Sequence, residues 1–132
     1  MIDLFVKPDD EIIIKFAVGL DKNGKLFADL NKDILQKSNY KNIEEYIVIF
    51  KRPTFKDTVA LSREFSSDGT NFKINMVEDR YKRVVVLIKS WNLKDGEGNP
   101  LEPNEKNISS LNPIIANIIT DQLNLELGDI LV

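Results

Sequence analysis

The spacing of apolar residues changes near residue 51. Before that point they come in short runs rich in β-branched residues. Ile12-Ile13-Ile14-Lys15-Phe16-Ala17-Val18 stops at Gly19 and predicts a strand. Asp21-Lys22-Asn23-Gly24-Lys25 follows, and Asn-Gly accepts the positive φ of a tight primed turn. Leu26-Phe27-Ala28-Asp29-Leu30 then returns as a second strand. Residues 31–42 are polar around Ile34, Leu35 and Tyr40, with room for a short helix from Asn31. Tyr46-Ile47-Val48-Ile49-Phe50 is apolar at consecutive positions, which predicts a third strand that is central or covered by a helix.

After Arg52-Pro53-Thr54 the spacing becomes helical. Thr54 can cap a helix running through Phe65, with Asp57 three residues on, where an acid suits the positive helix end. Ser66-Ser67-Asp68-Gly69-Thr70 reads as a loop. Val77, Tyr81, Val84, Ile88 and Trp91 step by four, three, four and three, which predicts one helix over residues 72–91. A strand from Arg83 to Ile88 competes, because Val84-Val85-Val86 is β-branched. Asn92 to Glu102 carries Gly96, Gly98, Asn99 and Pro100 and reads as a loop, and a short helix fits Pro103 to Leu111. Asn112-Pro113 pairs an N-cap with proline at the first helical position. That last helix runs through Ile115, Ile118, Ile119 and Leu123 to about Leu125, and Gly128 ends it before an apolar tail.

The pattern predicts an α+β fold: an N-terminal three-stranded antiparallel sheet built on a hairpin, then a C-terminal cluster of about four helices. At 132 residues the expectation is a single domain over 1–132, with 1–51 mainly β and 52–132 mainly α. The longest unbroken apolar runs are about five residues against the roughly 20 of a membrane helix, and Met1 to Glu11 has no basic region before an apolar core. A soluble chain without a signal peptide is therefore expected.

Two absences narrow the chemistry. The chain has no Cys and no His, so it has no disulfide, thiolate, imidazole base or Cys/His metal site. The net charge of −3 argues against a global electrostatic grip on nucleic acid. A local one would use Arg80, Lys82 and Arg83, near the aromatic Tyr81 and Trp91. On a helix over 72–91, however, the aromatics take the buried face and the charges the solvated one. Asp95-Gly96-Glu97-Gly98-Asn99 alternates oxygen donors with glycine, as calcium loops do. The twelfth position, which such loops fill with Glu, is Lys106, so a solvated turn is expected. The acid pairs Asp9/Asp10, Glu44/Glu45 and Glu78/Asp79 are adjacent in sequence, which on a strand sends them to opposite faces. No catalytic residue, cofactor or metal is expected.

Two segments carry a family resemblance. Ile49-Phe50-Lys51-Arg52-Pro53-Thr54-Phe55-Lys56-Asp57 resembles a strand–Arg-Pro-Thr–helix entry of small tail-morphogenesis proteins of tailed bacteriophages. Ile88-Lys89-Ser90-Trp91-Asn92-Leu93-Lys94-Asp95-Gly96-Glu97-Gly98-Asn99-Pro100-Leu101-Glu102-Pro103, followed by Asn107, Leu111, Pro113 and Ile118, is similar to a second pattern of theirs. There a helix ends in Ser-Trp-Asn, an acidic Gly turn and a Pro-Leu step follow, and Asn…Leu-x-Pro opens a final helix. The proteins carrying it are mostly tail assembly chaperones. The resemblance spans residues 49–127 and implies a non-enzymatic binding protein working in the host cytoplasm during assembly. Its implied partners are tape-measure, tube or baseplate subunits, with homo-oligomers also in view. The alternatives are a permanent tail, baseplate or neck subunit of the virion, and a phage nucleic-acid-binding or regulatory protein. The contact residues expected are Ile12, Ile14 and Phe16 on the first strand and Ile130, Leu131 and Val132 in the tail.

Overall fold

The computed structural model describes residues 1–64 and 72–128, the side chains of 62–64 and 72–77 excepted. Among the described residues there are four strands and five helices. They are β1 (Glu11–Leu20), β2 (Leu26–Asp29), α1 (Lys32–Lys37), β3 (Lys41–Lys51), α2 (Phe55–Glu64), α3 (Phe72–Leu87), β4 (Ile88–Trp91), α4 (Glu105–Ser109) and α5 (Pro113–Leu127). The strands form one sheet in the order β2-β1-β3-β4, with every neighbouring pair antiparallel. The α+β class therefore holds, with one strand and one helix more than the sequence predicts.

The β1–β2 connection spans five residues. Asp21 Oδ1 accepts the backbone N–H groups of Asn23 and Lys25, both at 2.8 Å, and Gly24 takes φ 79°. The turn is thus closed by a side-chain carboxylate and a left-handed glycine. Helix entries are likewise capped by local chemistry. Asn31 caps α1 through Asp33 N–H at 2.9 Å, and Asn112 caps α5 through Ile114 N–H at 2.9 Å, with Pro113 beside it. Thr54 and Asp57 cap α2 reciprocally: Asp57 N–H donates to Thr54 Oγ1 at 3.1 Å and Thr54 N–H to Asp57 Oδ2 at 3.0 Å. Gly128, at φ 65°, closes α5 in the left-handed conformation that glycine tolerates.

The helix expected over 72–91 stops at Leu87, and Ile88–Trp91 is a strand. The competing strand over Arg83–Ile88 is not formed either, since that stretch is helical up to Leu87. Pairing across the sheet decides the matter: Phe50 lies opposite Ile88 and Val48 opposite Trp91. Helical spacing alone cannot register such a partner some forty residues away. Trp91 is half-buried, and its indole N–H donates to the Leu101 carbonyl at 2.6 Å, tying β4 to the chain beyond the Asp95 turn.

Antiparallel register assigns each strand residue to a face. Ile12 lies opposite Phe50, Ile14 opposite Val48 and Phe16 opposite Tyr46. This face is covered by α2–α5, whose Leu61, Val84, Leu87, Ile108, Ile115, Ile119, Leu123 and Leu127 join those strand residues in one buried cluster. The opposite face carries Ile13, Lys15 and Ala17 on β1, paired with Ile49, Ile47 and Glu45 on β3. There α1 crosses one end only. It buries Leu35 outside the main cluster, Lys32 pairs with Glu45 at 3.1 Å, and Tyr40 stacks on Phe27 at 5.1 Å. Gly19 lies beneath this crossing, where an added Cβ would meet Tyr40 Cβ at 3.1 Å. A helix of six residues is about 9 Å long, so the Ile13 end of the face stays open.

Candidate binding surface

The first-strand residues expected as contacts face inward. Ile12, Ile14 and Phe16 sit in the core cluster, each almost wholly buried. This corrects the expectation: in the folded chain they hold the sheet to its helices and cannot meet a partner. The tail residues Ile130, Leu131 and Val132 lie outside the described residues.

Arg83 is corrected as well. It is buried among α3 and α5 and donates from Nη1 to Asn124 Oδ1 at 2.7 Å. Arg80 pairs with Asp121 of α5 at 3.3 Å, and Lys82 is half-buried. A phosphate would have to displace Asp121 from Arg80 and could not reach Arg83 without opening the α3–α5 contact.

Among the described residues, exposed apolar side chains include Leu30 and Ile34 at α1, Ile114 and Leu125 on α5, and three further groups. On α2, Phe55 is 85% exposed, and Val59 one turn later shares its side of the helix. On the other side of α2, toward α3, lies a groove of about 130 Å³, lined by Lys51, Asp57, Ala60, Leu61, Val86 and Leu87. Val86 is itself half exposed. On the open half of the sheet, Ile13 is 55% exposed, opposite the half-buried Ile49 and diagonal to the half-buried Ile47. Ahead of β1, Ile2, Leu4 and Phe5 are 84%, 85% and 82% exposed. Apolar residues scattered singly over a surface need no explanation; grouped ones mark contacts.

Two carboxylates of the resemblance segments, Asp57 and Asp95, are occupied within the fold. Asp95 Oδ1 accepts the N–H groups of Glu97 and Asn99, both at 2.9 Å, and these backbone donors hold its carboxyl below the usual range. Asp57 is lowered chiefly by the Thr54 N–H, with Lys51 at 3.2 Å adding to it. Tyr46 is pushed up to about 12, first by desolvation and then by its bond to Glu44. Two apolar clefts of about 300 Å³ adjoin the core. One is lined in part by Phe16, Tyr46, Trp91 and Leu101, the other by Tyr81, Val84, Ile108 and Ile119. Among the described residues no group of three or more acidic side chains is placed to hold a metal, and no helix is long and apolar enough to cross a membrane.

The sequence pattern does not single out Phe55, Val59 or Val86, because Phe55 falls within the α2 entry, Val59 within its helical run and Val86 within a β-branched run. The available signal was the four-residue spacing of Phe55 and Val59 on the side of α2 away from Leu61. Compared with known proteins, the chain matches no family model, no curated protein and no solved structure.

Proposed function

We propose that this chain is a non-enzymatic tail-morphogenesis protein of a tailed bacteriophage, acting as a tail assembly chaperone. It would bind a tape-measure or tube subunit and cover its apolar surface until polymerisation. The resemblance over residues 49–127 supplies the family, and the exposed Phe55–Val59 strip of α2 is the observation that carries the binding role. An apolar strip of i, i+4 spacing flanked by the exposed Lys56 suits an amphipathic partner segment, with apolar anchors centrally and charge at the rim. Ile130, Leu131 and Val132 remain candidates for the same partner by their apolarity.

The test is mass spectrometry of purified virions and of infected-cell lysates from the source phage, together with co-purification from the lysate. A chaperone is absent from finished particles and co-purifies with the tape-measure or tube protein, and Phe55→Asp with Val59→Asp abolishes that co-purification. Presence in the particle at fixed stoichiometry would overturn the chaperone reading in favour of a built-in tail, neck or baseplate subunit.

A further inference from the structure

We infer that residues 1–6 form an arm that docks on the open half of the sheet of a second copy of this chain, in a reciprocal dimer. This goes beyond the tail-assembly reading and does not rest on it. The arm is Met1-Ile2-Asp3-Leu4-Phe5-Val6, and its large apolar side chains Ile2, Leu4 and Phe5 stand in solvent together with Met1. The exit of the arm is set by the fold. Lys7-Pro8-Asp9-Asp10 makes a turn in which Asp10 N–H donates to the Lys7 carbonyl at 3.0 Å and Lys7 N–H to Asp10 Oδ2 at 2.8 Å. Pro8 occupies the position where proline pre-sets such a turn. The turn is anchored to the end of β3 by Arg52 N–H on the Asp10 carbonyl at 3.1 Å. An apolar segment held on a closed turn is poised for a contact it does not make within its own chain.

The acceptor is the strip of Ile13, Ile47 and Ile49 beside Lys15. Charge matches as well as apolarity. Asp3 is the one acid of the arm, and among the described residues its ion pair is with Lys7 of the same segment. Lys15 is exposed and forms no ion pair among the described residues. The area suffices. Three large side chains offer on the order of 450 Å² per arm, so two exchanged arms with the surface beneath them bury on the order of 1,500 Å². That lies within the range of about 1,200–2,000 Å² of stable interfaces. Reciprocal exchange closes a two-fold dimer and leaves no unpaired donor or acceptor to propagate.

Sedimentation equilibrium of the full chain tests this, with the fold of every variant checked by circular dichroism. The wild type is a dimer at about 100 μM, and both Leu4→Asp/Phe5→Asp and Ile13→Asp weaken it at least tenfold (about 1.4 kcal/mol). An equimolar mixture of those two variants associates more tightly than either alone, because one intact arm meets one intact strip. If Ile13→Asp misfolds, Lys15→Glu serves instead: it weakens the dimer, and adding Asp3→Lys restores it. A monomeric wild type, a dimer indifferent to the arm variants, or a mixture no tighter than its components would each overturn the proposal.

Discussion

On β1, Ile12 and Ile14 alternate with Ile13, and the three side chains are chemically identical. Ile12 and Ile14 lie in the core cluster with residues of α2–α5, whereas α1 reaches only the far end of the other face and Ile13 is more than half exposed. The difference teaches that burial here is assigned by what packs on the sheet, not by the strand's own apolarity. The covered face supplies stability, and the uncovered half supplies apolar surface available to a partner.

The sharpest way to break this division is in the covered face. Phe16→Ala removes a ring almost wholly buried between β1 and the helices, and denaturant unfolding should show a loss of about 3–5 kcal/mol. If the loss were under about 1 kcal/mol, the covered face would not be the stabilising one. Leu35→Ala probes the small patch under α1. It should cost about 2–4 kcal/mol in the same assay, toward the low end because the short helix can settle onto the space.

A smaller effect separates the α2 entry from both faces. The carboxyl of Asp57 is held below its ordinary range by the Thr54 N–H and by Lys51, so its contribution is present above about pH 4, the unfolded carboxylate value. It is lost as pH falls through the lowered folded value, when the protonated carboxyl releases the capping bond. Asp57→Asn should therefore flatten the acid limb of stability against pH, with little change at pH 7 beyond the cap itself. An unchanged acid limb would show that this cap does not couple to folding.

Elements whose determinants are local were readable from the chain: Asn31, the Thr54/Asp57 pair, Asn112-Pro113 and Gly128 mark the ends of α1, α2 and α5 where they occur. The missed element, β4, depends on a distant partner. Ile88 and Trp91 continue the helical spacing of α3, and only their pairing with Phe50 and Val48 pulls them into the sheet. The first five residues of β3, Lys41–Glu45, were also missed, because a polar stretch carries no apolar alternation. For the candidate site, alternation separates Ile12, Ile14 and Phe16 from Ile13 without saying which set the later helices cover. Contacts were therefore expected on the wrong face of the right strand. Exposure of Phe55 and of the arm was invisible for the same reason: apolarity alone does not reveal that nothing packs on a residue.

The division between the faces is tested most directly by comparing Ile13→Asp with Ile14→Asp in equilibrium denaturation at a concentration where the chain is monomeric. The two positions differ by one residue and share secondary structure, so only their surroundings differ. Ile13→Asp should keep the wild-type unfolding free energy within about 1 kcal/mol, since its side chain is more than half exposed. Ile14→Asp should not fold, because it places an unpaired charge in the core cluster. Equal losses at the two positions would contradict the account, because they would mean that both faces are covered in solution.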